Sequence, residues 1–332
     1  MKNGIYYIII VLSVVLVTLS CSEKKDFPVL KGPYLGQELP GLTPEIFADG
    51  IISFGFHENG IVFSPDGNEL FYSTSDNKYA FKVFIYLQKQ NNKWSEPEVA
   101  PFSGKYYDHS CFFSTNGKKM FFSSKRPVKS NAETKGDLDI WTLEKNGDSW
   151  GEPVHLNSPI NTDKNEQITS ISENGTIYLR TDYEGRGKWA IYTSRLENGQ
   201  YSATEKLGNN INCGYSEGNP FISGDESFLL FKSNRPGGYG NSDLYVSFWQ
   251  KDNTWGEPVN LGAKINSPEY ELEPRLSPDG KYLFFSSFRK HDPEIFTGKS
   301  YKELLRIYRS PLNGYATLYW VDAGIIEKLR PE

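Results

Sequence analysis

The chain has 332 residues, with 36 Lys and Arg against 41 Asp and Glu, and 15% of its side chains are aromatic. A net charge of −5 without a basic block excludes a nucleic-acid-binding surface, which needs the opposite balance. The many Tyr, Phe and Trp suit strands, and the length fits one large all-β domain.

Residues 1–20 read as a signal peptide. A basic start at Lys2 precedes an apolar run over residues 5–19, too short for the ~20 residues of a spanning helix. Ser20-Cys21 then resembles a bacterial lipobox, with Cys21 lipidated, although Thr18 departs from the usual Leu. A plain secretory signal with a chance cysteine is the alternative. Residues 21–42 are expected to be the lipidated N-terminus and a tether, given Pro28, Pro33, Pro40 and three interspersed glycines without strand or helix period. The expected location is the cell envelope, lipid-anchored at the outer membrane and facing the periplasm or the cell surface.

Residues 43–332 repeat themselves. Ser64-Pro65-Asp66-Gly67 is followed by Leu70-Phe71-Tyr72, and equivalents begin at Ser114, Ser172, Ser223 and Ser277. The spacings of 50, 58, 51 and 54 residues, with Asp-Gly or Asn-Gly hairpin turns, predict blades of a β-propeller. Each unit supplies strand a before the serine, strand b after the turn, strand c (Phe84-Ile85-Tyr86, Asp139-Ile140-Trp141, Asp243-Leu244-Tyr245) and strand d opening at Trp94, Trp150 or Trp255. Five blades is the economical count, six the alternative. Thr43-Pro44-Glu45-Ile46-Phe47 is then the strand d that closes the last blade, with residues 325–328 as a competing closing strand. One short helix is predicted around Leu304, Leu305 and Tyr308, inserted in the last blade. Cys111 and Cys213 fall in blades that are not neighbours and are expected to be two small buried thiols.

The Ser-Pro-Asp-Gly turns, Ser233-Asn234-Arg235-Pro236-Gly237-Gly238 and Asp243-Leu244-Tyr245 resemble the WD40-like repeats of the propeller family that includes the propeller domain of TolB. The resemblance covers residues 43–332; blade 3 departs from it, with Arg180-Thr181-Asp182 where Ser-x-Arg belongs. It implies a binding or scaffolding role and is almost silent on activity.

Six residues before the repeat serines stand Glu58, Asp108, Glu166, Glu217 and Glu271. At the start of strand a they are expected to form an acidic ring at one channel mouth, beside Arg126, Arg235 and Arg289 from the ends of strand b. Arg–carboxylate forks that merely stitch the blades are the competing reading. Blades 1 and 3 lack the arginine, so Glu58 and Glu166 are the better ligand contacts. His57, His109 and Gln167 lie beside the same row and could hold one divalent metal. The sequence contains no His-Glu-x-x-His or phosphate-loop motif.

The expected function is therefore a monomeric envelope module, without cofactor, that binds a protein, peptide or glycan at the mouth. The alternative is a metal-dependent carbohydrate-active enzyme similar to oligogalacturonate lyases, which are propellers that hold a catalytic metal with histidines and a glutamine. A purely structural part of an envelope assembly is the third reading.

Overall fold

The computed structural model describes residues 27–129, 135–185 and 187–331; the expected signal peptide and Cys21 lie outside them. Five antiparallel sheets form a ring. Their innermost a strands are His57–Phe63, Asp108–Phe113, Glu166–Ile171, Gly218–Ile222 and Glu271–Leu276, and each packs against the next around the axis.

The repeat serine organises every a–b turn. Ser64 Oγ accepts the N–H of Glu69 at 2.8 Å and donates to Asp66 Oδ1 at 2.5 Å, while Gly67 takes φ +66 for the hairpin. Ser114 with Asn116, Ser172 with Asn174 and Ser277 with Asp279 repeat the arrangement.

The ring closes as the sequence suggests. Glu45–Ile46 pairs antiparallel with Thr317–Asp322, placing Glu45 opposite Trp320 and completing blade 5. Residues 325–328 do not compete, because Gly324–Glu327 is a helical turn. The predicted helix is Tyr301–Tyr308, capped reciprocally by Ser300 and Glu303, in the b–c connection of blade 5.

Three expectations change. Residues 30–42 are not a free tether. Leu30 and Leu35 are buried, and Tyr34 enters the seam between blades 1 and 5, 5.5 Å from Phe63 and 5.2 Å from Tyr282. Its hydroxyl donates to Asp279 at 2.9 Å, and Trp94 Nε1 donates to Gly32 O at 2.8 Å. Proline and glycine content suggested a tether, yet three well-placed apolar side chains are enough to dock the segment. The Trp-x-Glu-Pro stretches are also not the paired strand d. Lys93–Trp94 and Ser149–Trp150 extend a c–d hairpin, and the outer strand is only Glu98–Val99, Val154–His155 or Val259–Asn260, just past each proline. The proline sits where no ladder bond is missed. Finally, both cysteines are free, but only Cys111 is buried and Cys213 is exposed.

Candidate binding site at the channel mouth

Strands b end, and strands a and c begin, at the same end of the ring, so the b–c and d–a loops together make one mouth. The five carboxylates do start strand a here. They do not face the channel. Each is at most 1% exposed and turns toward the loop that enters its own blade. Asp108 accepts from Ser103 Oγ and Ser124 Oγ, both at 2.7 Å, and Glu271 accepts from Ser267 Oγ at 2.6 Å and Ser287 Oγ at 2.7 Å. Glu166 accepts from Thr162 Oγ1 at 2.5 Å, and Glu217 from Ser233 Oγ at 3.2 Å and Cys213 Sγ at 3.3 Å. Glu58 receives the backbone N–H groups of Phe54 and Phe56 at 3.3 and 3.0 Å. The row is a repeated clamp on the d–a loops, not a ligand-facing acidic ring.

The arginines belong to the same clamp. Arg126 reaches Asp108 at 2.9 Å and Arg235 lies 3.9 Å from Glu217, whereas Arg289 makes no ion pair with Glu271. All three instead donate to a d–a loop carbonyl, at Phe102, Ile211 and Ile265 respectively. Each guanidinium also lies over an aromatic ring of strand b, namely Phe122, Phe231 or Phe285. Arg–carboxylate forks between blades are not formed among the described residues; the arginines tie the end of strand b to the loop that enters the same blade.

Glu58 and Glu166, without an arginine, are the carboxylates that burial perturbs most. Loss of water pushes Glu58 up to about 8 and Glu166 up to about 7. His57 is buried between Tyr79 and Tyr315 at ring distances of 4.7 and 4.6 Å, and burial lowers it to about 4. His109, with Ser110 Oγ 2.8 Å from Nδ1, is pushed well below its ordinary value by burial and then by Lys82. Gln167 accepts from Arg180 Nε at 2.6 Å. Among the described residues no group of three His, Cys, Asp or Glu side chains is placed to hold a metal ion.

What faces the axis is a different set. Each a strand carries a register shift one to three residues after its carboxylate, or after Gly218 in blade 4, and four of the five place a residue in the left-handed region there: Gly60, Ser110, Asn219 and Glu273. The bulge turns Glu273 inward, and only a glycine at position 60 leaves room for it, since a Cβ there would collide with Glu273 Oε2. Around Glu273 stand Lys82 at 4.0 Å and His109 at 3.9 Å.

The neighbouring layer is made of register partners between strands a and b. These are Asn59–Ser73, His109–Ser123, Gln167–Arg180, Gly218–Lys232 and Leu272–Ser286. Three blades put serine on strand b at this level, whereas blades 3 and 4 put Arg180 and Lys232. Arg180 and Lys232 both cross over Gly218, where an added Cβ would press on Arg180 Cδ and Lys232 Cε. Deeper in, Arg275 lies 5.9 Å over the Phe112 ring, itself 6.2 Å from Phe221.

The channel is therefore cationic. Among the described residues, Lys82, Arg180, Lys232 and Arg275 stand there against the carboxylate of Glu273. Burial and then the Arg180 charge lower Lys232 to about 7. These residues escaped the sequence reading, yet a signal existed, because Arg180 and Lys232 interrupt an otherwise serine-only repeat position.

Exposed aromatics surround the mouth. Phe54 and Phe56 rise from the loop before blade 1, Phe81 from its b–c loop, Tyr215 and Tyr239 from blade 4, and Tyr301 from the helix. A groove of about 900 Å³ lies elsewhere, at the turn end between blades 2 and 3. It is open, and Lys119 and Glu144 on its wall already pair at 3.4 Å.

No protein-family model and no curated protein matches the sequence. Solved propeller-bearing structures do. The chain is similar to a putative TolB from Agrobacterium tumefaciens, 17% identical, covering 73% of this chain and 72% of that one with a TM-score of 0.47. It is also similar to an α-L-arabinofuranosidase from Lactobacillus brevis, at 11% identity, 81% and 91% coverage and a TM-score of 0.45. A third is the NanB sialidase from Streptococcus pneumoniae, at 14% identity, 74% and 36% coverage and a TM-score of 0.39.

The buried groups give stability a defined pH dependence. From pH 4.5 upward the unfolded chain releases the Glu58 and Glu166 protons while the folded chain keeps them, so stability falls until about pH 7 to 8. Lys232 acts oppositely. Below about pH 7 it is charged in both states and its burial cost is complete; above that the folded chain sheds the proton first and stability recovers toward pH 10.5. His57 and His109, lowered by burial, oppose the glutamates, because below pH 6.5 the unfolded chain binds protons that the folded chain does not and stability rises with pH. The assignments are therefore read by difference: in urea unfolding from pH 5 to 10, Glu58→Gln should lose less stability than the unaltered chain between pH 5 and 8, and Lys232→Met should lack the gain above pH 7; pH profiles parallel to that of the unaltered chain would contradict them.

Proposed function

We propose that this propeller is a binding module of the bacterial envelope that receives its ligand at the b–c mouth, held to the membrane through lipidated Cys21. The observation that supports it is the pairing of exposed aromatic side chains around the mouth with unpaired polar groups just inside it. Arg275 Nε and Nη2, Asn219 Oδ1 and Glu273 Oε2 are buried there without partners among the described residues. Buried polar groups are almost always satisfied, and a bound ligand or ordered water is the usual remedy where protein atoms are not. The clamp carboxylates and arginines hold the rim loops in place for that ligand.

A catalytic reading has less support, since the titratable groups in the channel are cations around the Glu273 carboxylate. The test is a panel of neutral and acidic oligosaccharides and envelope peptides, screened by calorimetry against the full chain in detergent. Binding by a panel member should weaken at least tenfold in Phe81→Ala or Phe56→Ala, whose side chains are 73% and 59% exposed and free to change without unfolding. If nothing in the panel binds, or the binder is indifferent to both changes, the mouth is not the site.

A further inference from the structure

We propose that the channel mouth holds the oxyanion of its ligand, a carboxylate or phosphate group, between Arg180 and Lys232 at the seam of blades 3 and 4. This rests on the mouth being the binding site and adds the ligand's charge and seat.

The argument is one of unmatched charge. Arginine does not shed its proton in a protein, so Arg180 and Arg275 remain cations whatever the lysines do. Glu273 is the carboxylate among the described channel residues, and its Oε1 faces Lys82 and His109 on the side of blades 1 and 2. Arg180 and Lys232 have no carboxylate within ion-pair distance among the described residues; Glu273 and Asp182 act on Arg180, and Glu217 on Lys232, only from beyond it. Arg180 bonds only the neutral Gln167, and Lys232 only Ser216 Oγ at 3.0 Å. Lys232 is 8% exposed. Uncompensated cations removed from water are costly, and natural sites that carry them usually bind the missing anion.

The surroundings suit an organic oxyanion better than a bare one. The Arg180 guanidinium lies 4.6 Å over the Trp189 ring, which fixes its plane and leaves its remaining N–H groups for a two-pronged bond. Tyr215, next in the chain to Ser216, and Tyr239 on the adjoining b–c loop are 47% and 53% exposed, and offer ring faces to the rest of the ligand. Gly218 lets both cations lie side by side, because any side chain there would displace them.

The repeat pattern points the same way. Serine at this level in blades 1, 2 and 5 shows that the fold does not need a cation here. Two adjacent blades nevertheless supply one each.

The test is calorimetric titration of the full chain in detergent with glucuronate, glucose 6-phosphate, glucose and inorganic phosphate. Glucuronate or glucose 6-phosphate should bind, and glucose should not. Which of the two binds separates a carboxylate from a phosphate ligand, and equal binding of inorganic phosphate would show that the sugar adds nothing. Affinity should fall as salt rises and drop at least tenfold in Lys232→Met and in Arg180→Met. Lys232→Met replaces an unpaired buried charge by an apolar chain of similar length, so it is expected to fold, and an unchanged near-ultraviolet dichroism spectrum would establish that. The proposal is overturned if none of the three anions binds, or if binding is unchanged in the folded Lys232→Met chain. An uncharged panel ligand that binds and is lost in Phe81→Ala, with no anion binding, would overturn this proposal alone and leave the mouth as the site.

Discussion

Trp320→Ala should destabilise the protein by about 3–5 kcal/mol, the range for truncating a large buried aromatic. Trp320 is fully buried. Its ring packs 5.2 Å from Phe47, 5.3 Å from Tyr282, 5.7 Å from Phe284 and 5.6 Å from Tyr34. The strand that carries it also pairs with Glu45–Ile46, so one side chain joins the last blade, the closing strand and the docked N-terminal segment. Trp320→Phe should cost far less, because the indole N–H it discards has no partner in the structure. Urea unfolding followed by far-ultraviolet dichroism reads both. Equal loss for Ala and Phe would mean that the ring packing is not what holds the seam.

Glu273→Gln should also cost about 3–5 kcal/mol, the penalty for removing one partner from a buried charge set. It leaves Lys82, Arg180 and Arg275 without a carboxylate in the channel. The loss should be largely regained when Arg275→Met is added, since the second change removes a cation that the first stranded; groups in one network do not add independently. A double-mutant cycle at pH 7 measures the coupling. A neutral Glu273→Gln would show that the channel cations do not depend on this carboxylate.

The blade pattern was legible because a–b turns demand particular residues. Ser64, Asp66 and Gly67 each have a fixed geometric task, so their spacing betrays the repeat. Closure by Glu45–Ile46 followed from counting strands. The docked segment did not, because Leu30, Tyr34 and Leu35 have no period and their partners lie on the far side of the ring closure.

The site misled for a more specific reason. Glu58, Asp108, Glu166, Glu217 and Glu271 recur at one repeat position, and a recurrent carboxylate invites a functional ring. Neighbouring strand residues point to opposite faces, however, and a bulge after that position shifts the alternation again. Register decided which row faced the axis, and nothing local in the sequence reports a bulge when Gly60, Ser110, Asn219 and Glu273 occupy it. The informative feature was the exception rather than the rule. A position that is serine at 73, 123 and 286 but Arg180 and Lys232 in between departs from what the fold requires, and departures of that kind concentrate at functional sites.

A cationic channel flanked by carboxylates that bond within their own blades can be tested directly by anomalous diffraction from crystals soaked in bromide and, separately, in rubidium. A bromide peak between Arg180 and Lys232, with no rubidium beside Glu58, Asp108, Glu166, Glu217 or Glu271, is the expected result. Rubidium at that row of carboxylates, with the channel free of bromide while bromide sites on the outer surface fill, would contradict it.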